Sequence, residues 1–313
     1  MGIERLDEHD EPTVSEHSAD NPVGDQPAVD LPVVAPETRD RATYRAEYHA
    51  TVNAEYQAAH ESWDAALPEL HRAWEAHEAR WPTPERSGQP LQPDTPSAPG
   101  AWRGDGGRCL DPEANAEVDR GCDRIREVGE NVIVPGMRGI EAEDPDRHLI
   151  GLEYRLKGSE RLKEKVSEEL EARPGLTAAQ ALASVPDAVR FTFCYGEKHY
   201  TAGVYVDLER LAARGFELAK PLRNSWDSDQ YKGINTQWRE PETGQRFEVQ
   251  FHTRASYEAK QLSHAAYERI RNPQTSDAEL DELEDFQREV CAKIPIPPGA
   301  TEIDYTQRKG RNG

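Results

Sequence analysis

Polar and apolar side chains alternate along the segment R-F-E-V-Q-F-H-T at residues 246–253. Glu248, Gln250 and His252 stand at every second position, and Phe or Val lies between them. Successive side chains of a β-strand point to opposite faces, so the pattern predicts one apolar face and one face that carries a carboxylate, an amide and an imidazole. Because a solvated strand face more often carries Lys, Thr or Ser, these three residues are candidates for the floor of a binding site.

A second strand is predicted just before this one, over the residues K-G-I-N-T-Q-W at 232–238. The intervening E-P-E-T-G is a turn sequence, so we expect the two strands to pair as a hairpin. The alternation then places Tyr231 and Asn235 on the same face as Glu248. Gly233 would let a flat ligand lie close to the backbone on that face.

A group of cations precedes the hairpin, at the end of a predicted strand and along the helix that follows it. Its members are Arg155, Lys157, Arg161 and Lys165. Arginine forks and lysine point charges are side chains that gather phosphate groups, so the group indicates a polyphosphate site. A second basic stripe, with Lys260 and His264 one helical turn apart, lies on the predicted helix at 256–271 and is by itself also typical of a solvated helix face.

Asp187 begins a further predicted strand, which also carries Arg190. Asp187 and Glu248 are the kind of carboxylate pair that Mg²⁺ accepts when phosphate oxygens and water complete its coordination. A polyphosphate site, a divalent ion and an aromatic platform at Tyr231 together indicate phosphoryl or pyrophosphoryl transfer between nucleotides. Neither a P-loop nor a G-x-G-x-x-G sequence opens a helix, which disfavours the P-loop, protein-kinase and dinucleotide folds.

The 313-residue chain has a formal net charge of −21. Such acidity argues against a general nucleic-acid coat and against binding to an anionic membrane, since both need a positive field. The four cysteines form no C-x-x-C pair, which favours buried thiols in a reducing compartment over a zinc site or a disulfide framework. With no apolar run of spanning length and no conventional signal peptide, we expect the protein to act in the cytoplasm.

Five regions are expected along the chain. Residues 1–42 are acidic and poor in large apolar groups, which predicts a disordered tail. A helical segment is expected over 43–81, and a Pro/Gly-rich linker over 82–110. The main domain covers 111–295, and 296–313 form a C-terminal tail.

The order of helix, strand, helix and then an antiparallel pair predicts an α+β fold with a small mixed β-sheet flanked by helices. Pro68 is expected to break the first helix, and the helix that leads the main domain is expected to end near Pro135. Ser159 is the predicted N-cap of the cation-bearing helix, and a strand is expected over residues 216–222.

Taken in order, these motifs resemble the synthetase motifs of RelA/SpoT-like pyrophosphotransferases. The matching sequences are R-L-K at 155–157, D-A-V-R at 187–190, Y-K-G-I-N at 231–235, F-E-V-Q-F-H-T at 247–253 and H-A-A-Y at 264–267. The resemblance covers residues 149–271. It implies a nucleotidyltransferase-like domain that moves the β,γ-pyrophosphate of ATP to the 3′-hydroxyl of an acceptor ribose and releases AMP.

The resemblance also implies roles for the matching residues. Asp187 and Glu248 are assigned to catalysis and to magnesium. The residues assigned to ATP are Arg155, Lys157, Arg161, Lys165 and Arg190. The residues assigned to the acceptor are Tyr231, Asn235, Gln250, His252, Lys260 and His264.

Three positions depart from the family pattern. Asn235 stands where makers of guanosine tetraphosphate usually have His, and Arg161 stands where many members have Ser. The acidic residue usually lies five positions before the strand Arg, at Val185, whereas Asp187 lies three positions before Arg190. These features resemble the toxic small alarmone synthetase branch, which makes adenosine polyphosphates or pyrophosphorylates the tRNA 3′ end.

The acceptor therefore stays open between a guanine nucleotide, an adenine nucleotide and the tRNA 3′ end. A growth-inhibiting enzyme of this kind would have an antitoxin or immunity protein as a partner, and self-association is a further open question. The alternative from another class is a catalytically inactive nucleotide-binding regulatory module with a partner-binding N-terminal region. A phosphoesterase using His252 and His264 is weaker, since the chain lacks the duplicated H-x-T that such enzymes need.

Overall fold

A computed structural model describes residues 41–82, 98–104, 107–272 and 274–306. The chain divides after Ala46 into two units, and all features below lie in the second, Glu47–Gly313, apart from the start of the first helix. The helices are α1 (Arg41–Arg80), α2 (Pro112–Val128), α3 (Val134–Glu141), α4 (Ser159–Ala172), α5 (Ala178–Ala183), α6 (Glu197–Ala213), α7 (Arg254–Leu262), α8 (His264–Ile270) and α9 (Asp277–Ala292). The strands are β1 (Trp102–Arg103), β2 (Cys109–Leu110), β3 (Arg147–Ile150), β4 (Arg190–Tyr195), β5 (Glu217–Leu218), β6 (Arg223–Asn224), β7 (Ile234–Arg239) and β8 (Arg246–Thr253).

Six strands of the described chain form one sheet. Its order is β3-β4-β8-β7-β5, and β6 pairs with β7 beside that path. β4 and β8 run parallel, whereas the other pairs are antiparallel. Helices α3, α6 and α7 pack against these strands, and β1 with β2 forms a separate ribbon. The predicted α+β fold with a small mixed sheet flanked by helices is confirmed.

The predicted hairpin is formed by β7 and β8. Asn235 pairs with Gln250 and Gln237 pairs with Glu248, so the polar residues of both strands share one face. The apolar residues of the opposite face, Trp238 and Phe247 among them, are fully buried in the core. Burial of that face sets the register, because a slip by one residue would move every apolar side chain to the polar side.

Helix α1 runs through Pro68 without a break, which differs from the expectation. A proline inside a helix removes one backbone hydrogen bond and usually kinks the helix. Trp63 and Leu70 are buried on either side of Pro68, and this packing keeps the helix continuous. Tertiary contacts therefore outweigh the local signal of the proline.

The helix that leads the main domain also continues past its expected end. A single π-helical turn, Gly129–Ile133, joins α2 to α3, and Pro135 lies in the first turn of α3. The N–H of Val134 donates to the Gly129 carbonyl, so the π-helical turn carries the helix up to Pro135, which lacks only its own N–H. The expectation that this helix ends near Pro135 is wrong.

Three smaller differences concern element ends. The N-cap of α4 is Gly158, and Ser159 is the first helical residue. The helix expected over 256–271 is interrupted at Ser263 and forms α7 and α8. The strand expected over 216–222 is only two residues long, at Glu217–Leu218, and a second short strand follows it.

The predicted disordered tail lies outside the described residues, apart from its last two positions, which belong to α1. Most of the predicted linker also lies outside them, at 83–97 and 105–106, and so does the end of the C-terminal tail, at 307–313. None of the helices in the described ranges combines the length and the apolar character that crossing a membrane requires.

Candidate active site

One face of the sheet gathers five of the predicted site residues, and we call it the site face. It carries Asn235 from β7, Glu248, Gln250 and His252 from β8, and Arg190 from β4. The parallel pairing of β4 with β8 places Arg190 beside Glu248, and Arg190 Nε lies 3.9 Å from Glu248 Oε2. The hairpin alternation and the β4–β8 pairing together build this cluster.

The pKa values of the two predicted catalytic carboxyl groups are shifted in opposite directions. Burial raises the pKa of Glu248 above its ordinary value, and the charge of Arg190 offsets only part of that effect. Burial also opposes ionisation of Asp187, but the hydrogen bond and charge of Lys157 outweigh it and hold the pKa of Asp187 below its ordinary value. The surroundings of Asp187 thus favour its charged form, whereas those of Glu248 favour its protonated form.

Asp187 lies on a single helical turn, Pro186–Ala188, directly before β4. Lys157 Nζ donates to Asp187 Oδ2 at 2.6 Å, and the backbone N–H of Lys157 donates to Ala188 at 3.0 Å. The charge of Lys165 also lowers the pKa of Asp187. The structure therefore brings Asp187, Lys157, Lys165 and Arg190 together, although Asp187 is displaced from the family position.

Arg155 points toward the π-helical turn. Its Nη2 forms a short ion pair with Glu130, and its Nη1 donates to the carbonyl of Leu152 at 2.6 Å. Its backbone carbonyl accepts the N–H of Arg190 at 2.8 Å, which ties the residue to the start of β4. Arg155 is thus adjacent to the site face, but its guanidinium is engaged by Glu130.

Arg161 is mostly exposed on α4. It donates to Glu164 at 2.8 Å and lies 3.7 Å from Glu268 of α8. The hydrogen bond with Glu164 is the main cause that raises the pKa of Arg161. Neither of these partners is one of the two predicted catalytic carboxylates.

The ring of Tyr231 stands at the edge of the site face. Its hydroxyl lies 2.9 Å from Asn235 Oδ1 and 2.9 Å from His252 Nε2. Tyr231 and His252 meet edge to face, with ring centroids 5.5 Å apart. Burial, followed by the charge of Glu248, raises the pKa of Tyr231, so its hydroxyl keeps its proton.

His252 is fully buried behind Tyr231, so in this structure it contacts that ring and not open space. The expectation for Gly233 also changes. A Cβ at this position would lie 2.8 Å from His252 Cε1 and 3.2 Å from the Tyr231 hydroxyl. The space above Gly233 is therefore filled by the protein, and its φ of +148° is the second reason why glycine is needed.

Lys260 reaches the site face from α7. Its Nζ donates to Gln250 Oε1 at 2.5 Å and lies 5.6 Å from the ring centroid of Tyr257. Burial, followed by the positive charge of Arg190, lowers the pKa of Lys260 to about 8, with Glu248 acting in the other direction. His264, by contrast, is exposed at the first residue of α8, beyond the break in the helix.

Sequence reasoning missed three residues that organise the site. Glu130 holds Arg155, Ser256 lies 2.9 Å from His252 Nδ1, and Arg223 acts on the pKa of Tyr231 through its charge. Ser256 is visible in the sequence as part of a T-x-x-S helix cap, which Thr253 and Ser256 form at the start of α7. No local pattern reveals Glu130 or Arg223, because their partners are distant in the chain.

A small cavity lies beside the predicted phosphate site. Its volume is about 220 Å³, and Lys157, Gly158 and Ser159 at the N-terminus of α4 line one side of it. Exposed N–H groups at a helix N-terminus favour anions. Cys122 and Ile125 of α2 line the other side.

The carboxylates fit a magnesium ion that is completed by substrate. Among the described residues, no group of three or more His, Cys, Asp or Glu side chains could hold a metal ion alone. Mg²⁺ bound with nucleotides needs only one or two carboxylates, because phosphate and water supply the remaining ligands. Asp187 is close enough to Glu248 for its charge to contribute to the raised pKa of Glu248.

No family profile and no curated protein matches the chain. Solved structures that it resembles include small alarmone synthetase 1 from Bacillus subtilis bound to its product pppGpp, at 16% identity over 57% of this chain and 93% of that chain, with a TM-score of 0.41. A GTP pyrophosphokinase family protein from Streptococcus pneumoniae matches at 16% identity over 56% and 87%, with a TM-score of 0.41. Small alarmone synthetase 2 from Bacillus subtilis matches at 12% identity over 55% and 90%, with a TM-score of 0.40.

These matched proteins are of the kind that the sequence motifs resemble. At such low identity and TM-score, the likeness carries no argument about activity. The case for activity therefore rests on the side chains of the site.

Proposed function

We propose that the protein is an ATP-dependent pyrophosphotransferase that moves the β,γ-pyrophosphate of ATP to the 3′-hydroxyl of a nucleotide or of the tRNA 3′ end. One observation carries the proposal. Two carboxyl groups with opposite pKa shifts, Asp187 and Glu248, lie at the site face among the cations Lys157, Arg190 and Lys260, which reach it from three different elements. Phosphoryl chemistry needs this combination of charge neutralisation and a poised base.

Cationic side chains form the part of the site that would bind ATP, the pyrophosphate donor. The positive charges of Lys157, Lys165 and Arg190 all lower the pKa of Asp187. A polyphosphate placed there would therefore meet three positive groups. Asp187 and Glu248 would hold magnesium, which supplies further neutralisation of phosphate charge. Arg155 would bind ATP from its position beside β4.

Glu248 is the base in this account. It takes the proton of the acceptor 3′-hydroxyl while that oxygen bonds to the β-phosphorus of ATP. The bond between the β-phosphorus and the bridging oxygen to the α-phosphate breaks, and AMP leaves with the electron pair. Holding the two substrates in line can contribute about 7–11 kcal/mol to lowering the barrier.

Tyr231 supports the acceptor base in this account, with Asn235 and Gln250 beside it. The hydroxyl of Tyr231 is fixed by two hydrogen bonds, so the ring is held in place before a ligand binds. A guanine nucleotide, an adenine nucleotide and the tRNA 3′ end all offer a base and a 3′-hydroxyl. We further propose that the product inhibits growth, as in the toxic branch that the motifs resemble.

The test is AMP release by the purified full-length protein with ATP, Mg²⁺ and a panel of acceptors. The panel contains guanine nucleotides, adenine nucleotides and bulk tRNA, each assayed alone. We expect the amount of AMP released to equal the amount of one acceptor class that is modified. The proposal fails if none of the three yields AMP.

A second candidate is an inactive nucleotide-binding module. The observation that favours it is that the cations assigned to ATP already have acidic partners: Lys157 pairs with Asp187, Arg155 with Glu130 and Arg161 with Glu164. Calorimetric titration separates the two candidates. Binding of ATP without AMP release on any acceptor would support the module and contradict the enzyme.

A further inference from the structure

A chain of hydrogen bonds links the N-terminal cap of α7 to the site face. Ser256 Oγ lies 2.9 Å from His252 Nδ1, and His252 Nε2 lies 2.9 Å from the Tyr231 hydroxyl. The same hydroxyl lies 2.9 Å from Asn235 Oδ1. Ser256 and His252 are buried, whereas Tyr231 and Asn235 are partly exposed at the site. These hydrogen bonds thus connect the buried Ser256 to Asn235, a side chain that a ligand can reach.

His252 is neutral within this chain. Burial, followed by the nearby charge of Lys260, lowers the pKa of His252 well below its ordinary value. A neutral imidazole carries one proton, and the hydroxyls of Ser256 and Tyr231 carry one each. Because the neutral imidazole donates at one nitrogen and accepts at the other, and the Tyr231 hydroxyl has a single proton, the direction of one link fixes the direction of the others.

Two arrangements of donors and acceptors are therefore possible along these hydrogen bonds. In the outward arrangement, Ser256 donates to His252 Nδ1, His252 Nε2–H donates to Tyr231, and Tyr231 donates to Asn235 Oδ1. The amide NH₂ of Asn235 is then left for a ligand. In the inward arrangement every link is reversed, Ser256 donates to the carbonyl of Thr253, and Asn235 turns its carbonyl oxygen to the ligand.

The distances favour the outward arrangement. The Ser256 hydroxyl lies 3.2 Å from the Thr253 carbonyl but 2.9 Å from His252 Nδ1. Hydroxyl donors prefer the shorter of these separations. The N–H of Thr253 donates to Ser256 Oγ at 3.0 Å, so one acceptor position of that oxygen is already used.

We propose that the chain runs outward from Ser256 to Asn235, so that Asn235 is a fixed hydrogen-bond donor toward the acceptor base and Ser256 is a positioning residue. The assignment of that ligand rests on the proposed function. The acceptor base must then offer a ring nitrogen or a carbonyl oxygen, and no donor group, to Asn235. Specificity arises because reversing one link requires reversing the whole chain.

The first test is the tautomer of His252 in the full-length protein. Long-range ¹H–¹⁵N spectra distinguish the two ring nitrogens, and a His252→Gln variant assigns the signals among the ten histidines. We expect a protonated Nε2 and an unprotonated Nδ1. A protonated Nδ1, or a doubly protonated ring at neutral pH, overturns the proposal. This measurement needs no substrate, so its outcome is independent of whether the proposed reaction occurs.

The second test is kinetic. Ser256→Ala removes the donor to His252, and we expect the KM of the acceptor to rise about fivefold, the equivalent of one neutral hydrogen bond, with the KM of ATP and kcat unchanged. Gln180→Ala is the matched control, because Gln180 holds the same third position in the capping box of α5, an element that takes no part in these hydrogen bonds. Equal acceptor KM values in the two variants would contradict the positioning role of Ser256.

Discussion

At the scale of single residues, the two carboxyl groups of the site differ in their surroundings, which shift their pKa values in opposite directions. Asp187 stays ionised because Lys157 bonds to it, whereas Glu248 is buried with incomplete compensation from Arg190. A pair of this kind allows one group to hold charge and the other to exchange a proton. This division of roles follows from the environment, since neither side chain is unusual in itself.

Glu248→Gln should reduce AMP release by about 10³-fold, within the range that one acid–base group contributes. Because the folded-state pKa of Glu248 is raised, its stabilising contribution exists below its unfolded-state pKa and is lost as pH rises through the folded-state value. The glutamine variant should therefore be at least as stable as the native protein at pH 7. Thermal unfolding and turnover measure both quantities.

Glu242→Gln serves as the control for this variant, since Glu242 is exposed in the hairpin turn and should leave turnover unchanged. Retained turnover in Glu248→Gln would remove Glu248 from the mechanism. A large loss of thermal stability in that variant would assign it a structural role instead.

Lys260 should set the alkaline limb of the pH profile. Because the pKa of Lys260 is about 8, the side chain loses its positive charge as pH rises through that value. Its attraction for substrate phosphate then weakens. The profile of kcat/KM reports groups of the free enzyme, so it should fall above pH of about 8. Lys260→Arg should move this limb to higher pH, and a limb unchanged in that variant would assign it to another group.

At the scale of elements, the site depends on one hairpin and one irregular turn. The hairpin was predictable from Glu248, Gln250 and His252, because a period of two fixes the faces of a strand locally. The π-helical turn that directs Glu130 to Arg155 was not predictable, since the pair is 25 residues apart and no local signal marks it. π-Helical turns are frequent at functional sites, and this one supplies a partner to a predicted ATP residue.

Glu130→Gln should raise the KM of ATP about fivefold, because a neutral amide holds the Arg155 guanidinium less firmly than a carboxylate. The KM of the acceptor should not change, since Tyr231 and Asn235 are on other elements. Glu127→Gln is the control, with the same loss of charge at an exposed position of α2. If Glu130→Gln lowers the KM of ATP, the ion pair competes with the nucleotide and does not position Arg155 for it.

At the scale of the whole molecule, α1 packs against the helix that carries Lys260. Trp63 Nε1 donates to Glu258 of α7 at 2.8 Å, and Arg254 of α7 bonds to Asp64 at 2.8 Å. His60 lies 2.6 Å from Glu197 at the start of α6. The sequence could predict that α1 is helical, but not these contacts, because they join residues far apart in the chain.

Trp63→Ala should reduce stability by about 3–5 kcal/mol, the usual cost of removing a buried tryptophan. Trp63→Phe should cost about 1–2 kcal/mol, since it keeps most of the apolar area and loses the bond to Glu258. We expect Trp63→Phe also to shift the alkaline limb that Lys260 sets. Denaturant unfolding and the pH profile are the measurements.

Trp81→Phe is the control, because Trp81 Nε1 makes the same kind of bond to Glu282 of α9 and not to a residue of α7. It should lose less stability than Trp63→Phe, because Trp81 is only partly buried, and it should leave the pH profile unchanged. Identical pH profiles in Trp63→Phe and Trp81→Phe would show that α1 stabilises the protein without acting on the site.

The most direct test of the central claim follows the β-phosphate of ATP. The full-length protein is incubated with Mg²⁺, the acceptor panel and ATP labelled at the β-phosphate, and the products are separated. We expect the label to move to the acceptor in one class while unlabelled AMP accumulates in equal amount, and we expect Glu248→Gln to slow both by about 10³-fold. Label recovered only in ADP would show that the γ-phosphate alone is removed from ATP, and label that stays in ATP with every acceptor would contradict pyrophosphate transfer altogether.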